Sequence, residues 1–255
     1  MTKMISDKVK REYYSYLLSA VKKMPKRKFV LFGQGRSGST LLIELLNSHP
    51  DVSAHKEIMN TSSSAEENVV PFKYPYGFVK GVAVRCRKKV YGYKTKVYQI
   101  EGHKVDPKKF IKKHVKEGWR VVHLWRKNTF NQALSGEKAS KTDIWHQRNN
   151  DEKKLKIKLK PENVLERVRF RRKKLEQEKK IMKDIESIEV IYERDLLGKE
   201  KQQSTCNKIF DYLEIERRKV ESSLRKMNRV KVENTEEIKN FVEEKIEPEV
   251  GKPYL

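Results

Sequence analysis

With 255 residues the chain has room for one α/β domain with its own core, and the length argues against a second. Its formal net charge of +24, from 59 Lys and Arg against 35 Asp and Glu, favours polyanionic ligands, anionic membrane surfaces or nucleic acid. The excess is spread along the chain and mixed with glutamate, notably over 150–185, which reads as solvated helix surface rather than one binding stripe. No apolar run is long enough to span a bilayer, and Met1 to Lys23 lack the apolar core and cleavage site of a signal peptide. Cys86 and Cys206 lie far apart, which argues against a disulfide framework or a metal cluster. The expectation is a cytoplasmic protein that needs no metal, with at most peripheral contact with anionic membrane.

In chain order, a helical extension over 1–27 is followed by an apolar strand, Phe29 to Phe32, a glycine-rich turn, and an amphipathic helix with Leu41, Leu42, Leu45 and Leu46 on one side. Asn47-Ser48-His49-Pro50 stops that helix, and a short segment carrying His55-Lys56-Glu57 follows. Residues 60–90, with Ser62-Ser63-Ser64, Pro71 and Pro75, read as an irregular insertion on the substrate side. Tyr91 to Ile100 reads as a strand, Asp106 to Glu117 as a helix with Pro107 in its first turn, and Arg120 to Trp125 as a strand. A helix begins near Asn128. A polar linker, Asp151 to Lys160, leads to a long charged helix from Pro161 to Ile185. A strand from Ile188 to Tyr192 and helices over 200–214 and 235–247 close the chain. Alternating strands and helices with short connections predict one domain, a doubly wound parallel sheet of P-loop-like type with helices on both faces. Ligands are then expected outside the carboxyl ends of the strands.

Gly33 and Gly38 have the spacing of a P-loop, whose backbone N–H groups cradle phosphates at a helix N-terminus. The lysine that reaches the β- and γ-phosphates in nucleoside-triphosphate enzymes is missing; Ser39 stands there, followed by Thr40. Arg36 supplies charge inside the loop through its planar fork. The plain alternative is a Gly/Ser-rich turn with no ligand.

The segment Arg36-Ser37-Gly38-Ser39-Thr40 after a strand resembles the 5′-phosphosulfate loop of sulfotransferases that use 3′-phosphoadenosine 5′-phosphosulfate (PAPS). The bacterial carbohydrate branch, typified by the trehalose and nodulation-factor enzymes, is the most similar. The resemblance runs over about residues 28–247, making 28–255 the sulfotransferase domain. It implies that Gly35, Arg36, Ser37, Gly38, Ser39, Thr40 and Leu41 bind the donor's 5′-phosphosulfate. It also implies that Arg126, after the apolar strand, and Ser135, on the next helix, bind its 3′-phosphate; the run Ala133-Leu134-Ser135 and Thr142-Asp143-Ile144-Trp145-His146 is similar as well. Two phosphate sites suit a 3′,5′-bisphosphorylated nucleotide, whereas a kinase needs only the first.

Within the same resemblance Glu57 is the candidate general base, taking the acceptor hydroxyl's proton during attack on sulfur. His55 is its rival. Lys94, in a Gly-x-Lys strand pattern, is the candidate that neutralises charge on the bridging oxygen; a surface role for Lys94 or Lys96 is the alternative. Tyr192-Glu193-Arg194-Asp195-Leu196 resembles a family segment, with Arg194 as an insertion, and is expected to anchor the last strand. Arg225, Lys226 and Arg229 precede the final helix, where relatives place a loop over the donor. The function implied is sulfuryl transfer to a hydroxyl of a carbohydrate, glycolipid or oligosaccharide, with no specific nucleic acid as partner and a homodimer compatible with it. The competing readings are a P-loop small-molecule kinase and a basic nucleic-acid-binding protein, for which no recognition module is present.

Overall fold

The computed structural model describes residues 16–18, 20, 23–60, 71–145, 155–224 and 230–246. The strands are β1 (Arg27–Gly33), β2 (Val52–His55), β3 (Val90–Thr95), β4 (Arg120–Trp125), β5 (Leu155–Ile157), β6 (Ile188–Ile191) and β7 (Val230–Val232). The helices are α1 (Ser39–Asn47), α2 (Pro75–Ala83), α3 (Val97–Gly102), α4 (Pro107–Lys116), α5 (Thr129–Thr142), α6 (Pro161–Met182), α7 (Lys199–Tyr212) and α8 (Thr235–Lys245). One π-helical turn spans Tyr192–Leu196.

Five strands form a parallel sheet in the order β2-β3-β1-β4-β6, and β5 pairs with β7 in a separate two-stranded ladder. The central strand β1 is apolar on both faces because both are covered. Phe29 and Leu31 pack with Leu42, Leu46 and Phe210 of α1 and α7. Val30 and Phe32 pack on the other side with Phe78 of α2, Phe110 of α4 and Ile181 of α6. Alternation with period two thus splits one strand between two cores. A third cluster joins Phe130 and Ala133 of α5 to Val164 and Val168 of α6 and Ile238 of α8.

Helix starts follow local chemistry. The Asp106 carboxylate accepts from the Lys109 N–H at 2.7 Å, with Pro107 in the first turn, and the Asn128 side chain accepts from the Asn131 N–H at 2.6 Å. Three segments differ from expectation. Residues 71–90 are not irregular throughout: Pro75–Ala83 form α2, which buries Tyr76, Phe78 and Val79, and Pro75 opens that helix at a position where its missing N–H costs nothing. The insertion's remainder, 61–70, lies outside the described residues, as does most of the 1–27 extension. The strand expected over Tyr91 to Ile100 ends at Thr95, because the Gln99 side chain accepts from the Lys96 N–H at 3.1 Å and starts α3. The linker expected from Asp151 to Lys160 contains β5, whose ladder partner is far away in sequence. No helix among the described residues is long and apolar enough to cross a membrane.

Candidate active site

All five strands of the main sheet run parallel, so the segments that follow their carboxyl ends share one edge. A cavity of about 1830 Å³ opens there. Gly35, Arg36, Gly38, Ser39, Thr40, Leu41, Glu57, Lys94, Arg126 and Ser135 all line it. Ser37 does not; it is fully buried, and its hydroxyl donates to the Gln34 carbonyl at 2.7 Å, holding the loop closed. His55, at the end of β2, is not among the lining residues either.

The loop from β1 to α1 is tightly built. Gly33 lies so close to β4 that a Cβ would overlap the Leu124 carbonyl. Gln132 of α5 donates to the Gly35 carbonyl at 2.8 Å. Gly38 has φ 88° and precedes α1 with no side-chain cap, which leaves the helix's first N–H groups without a side-chain acceptor. A Cβ on Gly38 would lie 2.5 Å from Cδ2 of Tyr192. Gly38→Ala is therefore expected to cost about 1–3 kcal/mol of stability, from backbone strain and the displaced ring. Urea unfolding checks this, and an unchanged midpoint would refute the strain.

Arg36 adopts φ 63°, in the left-handed region. Its Nε and Nη2 donate to the Ser135 hydroxyl at 3.0 and 2.9 Å, and Nη1 donates to the Trp145 carbonyl at 2.7 Å. Burial, together with Arg126 and Arg171 nearby, lowers its pKa, a cost that an arriving anion relieves. Arg126 pairs with Glu193 at 3.1 Å, and its guanidinium lies 4.6 Å from the Tyr192 ring centroid. Glu193 also accepts from the Lys127 N–H at 2.8 Å, fixing the turn between β4 and α5. Tyr192 therefore touches both phosphate candidates, packing on Gly38 and supporting Arg126. Asp195 accepts from the Ile191 N–H at 2.7 Å and ties the π turn to β6.

Glu57 and Lys94 meet. Lys94 is 6% exposed, and its Nζ donates to Ser39 Oγ at 3.3 Å and Thr40 Oγ1 at 3.2 Å while pairing with Glu57 Oε1 at 2.9 Å. The other carboxylate oxygen, Oε2, accepts from Lys96 Nζ at 2.6 Å and from Gln99 Nε2 at 2.9 Å. Burial raises the Glu57 pKa, but the two lysines outweigh it and hold the carboxyl at about 2. Burial lowers the Lys94 pKa against the pull of Glu57.

Lys96, Gln99 and Tyr98 are the residues that sequence reasoning passed over or left as surface. Lys94 and Lys96 are two apart, hence on one face of an extended segment, and that spacing was the available signal. Arg225, Lys226, Arg229 and His146 lie outside the described residues. Among the described residues there is no cluster of three His, Cys, Asp or Glu side chains that could hold a metal.

No family model and no curated protein matches this sequence. Among solved structures, a sulfotransferase from Alicyclobacillus acidocaldarius superposes with a TM-score of 0.52 over 88% of this chain and 93% of that one. The chain shares a sulfotransferase's fold. At 12% identity the likeness is one of architecture, carried by the parallel sheet and its covering helices.

Proposed function

We propose that this chain transfers a sulfuryl group from PAPS to a hydroxyl of a carbohydrate, glycolipid or oligosaccharide. The observation that carries the reading is Lys94, which joins the hydroxyls of a phosphate loop to the carboxylate of Glu57. In nucleoside-triphosphate enzymes the loop Ser/Thr holds magnesium and the loop lysine holds phosphate. Here a strand lysine places a fixed ammonium on Ser39 and Thr40 instead, and the carboxylate of Glu57 lies beside it.

The residues fit such a donor. The uncapped start of α1 and Arg36 would receive the 5′-phosphosulfate, and Arg126 with Ser135 the 3′-phosphate. PAPS supplies an activated sulfuryl group whose leaving group is a stable phosphate. Glu57 accepts the proton of the attacking hydroxyl. Lys94 and the α1 amides neutralise charge that gathers on the phosphate side as the old S–O bond lengthens. Lys96 and Gln99 keep the base in place on its other oxygen.

Calorimetry tests the donor site directly. Adenosine 3′,5′-bisphosphate should bind without magnesium and at least tenfold more tightly than ATP, since only the former carries a phosphate for Arg126. A preference for ATP with magnesium would replace this reading with a kinase.

A further inference from the structure

One wall of the cavity, formed by helix α6, takes no part in the donor contacts proposed above. Helix α6 presents Arg167, Phe170 and Arg171 to it, spaced three and four apart and so on one face. Phe170 is 41% exposed, and its ring centroid lies 5.7 Å from that of Tyr98. Four aromatic side chains are exposed among the described residues. Tyr16 and Tyr74 pack against each other with tilted rings, 5.2 Å apart, and the other two, Trp145 and Phe170, both line this cavity. Exposed rings beside cations in a cleft mark a place where a ring-shaped ligand with polar groups gains by stacking.

Arg171 supplies the second observation. It is 7% exposed, its Nε has no partner, and Nη1 reaches only the side-chain oxygen of Gln34, at 3.4 Å. Its guanidinium lies 5.7 Å from the Phe170 ring centroid. A Cβ on Gly136 would stand 3.8 Å from both Arg171 Nη2 and Arg167 Nη1, so two forks converge beside the shelf. Arg167 already pairs with Glu137, whereas Arg171 makes no direct ion pair among the described residues; the carboxylate whose charge it feels is that of buried Glu178. The shelf also leads back to the chemistry: Lys96, which holds Glu57, has its Nζ 5.3 Å from the Tyr98 ring centroid.

We propose that this wall is the acceptor subsite and that it takes an acidic sugar. The C–H face of a pyranose stacks on Phe170 and Tyr98, and a carboxylate, sulfate or phosphate on the sugar is received by Arg171. Stacked there, the sugar presents a hydroxyl toward Glu57. The inference rests on the sulfotransferase reading for the identity of the reaction, and on the shelf and Arg171 for the acceptor class.

The test uses calorimetry with hyaluronan tetrasaccharide, which carries carboxylates, and neutral chitotetraose, each with and without saturating adenosine 3′,5′-bisphosphate. The acidic sugar should bind at least tenfold more tightly than the neutral one. Phe170→Ala, at an exposed position, should weaken both sugars roughly tenfold and leave bisphosphate affinity unchanged. Arg171→Gln should abolish the preference, and Arg171→Lys, which keeps the charge, should retain part of it. Equal binding of the two sugars, or no binding of either at millimolar concentration, overturns the proposal. So does a Phe170→Ala that weakens the bisphosphate, since the ring would then serve the donor's base. Equally tight binding of a single-stranded oligonucleotide of matched charge would reduce the site to the protein's general positive field. If the bisphosphate itself fails to bind, the donor reading falls, and the arm without nucleotide still decides the shelf.

Discussion

Glu57→Gln is expected to lower sulfuryl transfer by roughly 10²–10⁴-fold, the usual contribution of a positioned base, while adenosine 3′,5′-bisphosphate binds no more weakly. The amide keeps the size and the contact to Gln99 but cannot take a proton. It also removes the anion that competes with the donor for Lys94, so affinity should hold or rise. Transfer of radiolabelled sulfate to a panel of sugars, with His55→Ala as comparison, reads the rate. Wild-type transfer by Glu57→Gln alongside a dead His55→Ala would move the base to His55. The clamp also predicts a pH effect on stability. The Glu57 pKa is lowered from 4.5 to about 2 in the folded chain, so its stabilisation is complete above 4.5 and is lost as pH falls through about 2. Urea midpoints should therefore fall more steeply across that interval for wild type than for Glu57→Gln. Parallel profiles would mean that the two lysines add nothing to folding.

Arg126→Ala is the second large effect. It should cost about 2–3 kcal/mol in binding of adenosine 3′,5′-bisphosphate and much less in binding of adenosine 5′-phosphate. The turn should survive the change, because Glu193 keeps its bonds to the Lys127 and Asn128 N–H groups. Equal losses for the two nucleotides would show that Arg126 does not read the 3′-phosphate. The structure gives a specific route for failure: Arg126 is already paired with Glu193, and a donor must improve on that contact.

Much of this architecture was legible in the chain. Phe29 to Phe32 announced a buried strand, Asp106-Pro107 and Asn128 announced helix starts, and Gly33 to Thr40 announced a tight glycine-rich turn into a helix, because each of these signals is local. What stayed hidden depends on neighbours distant in sequence. β5 exists through its pairing with β7, and α3 begins where Gln99 turns back to Lys96 while also reaching Glu57. Pro75 reads in the sequence as part of an irregular insertion although it opens a helix. The site was divided the same way. Arg36, Lys94 and Glu57 could be picked out singly, but nothing in their spacing shows that Lys94 touches both the loop and the acid. Phe170 and Arg171 sit in a helix so charged that they read as solvated surface.

The strand order has a consequence for when this site comes into being. β1 pairs with β3 and β4, never with the strand that follows it, so each contact in the sheet's centre closes a long loop of chain. Parallel pairings of that kind form late and together. The β1–α1 loop, Lys94 and Arg126 hang from three different strands, so a half-assembled sheet would leave the proposed donor site incomplete. On the proposed function, a donor that binds only the finished site would stabilise the folded molecule by mass action and take no part in assembling it.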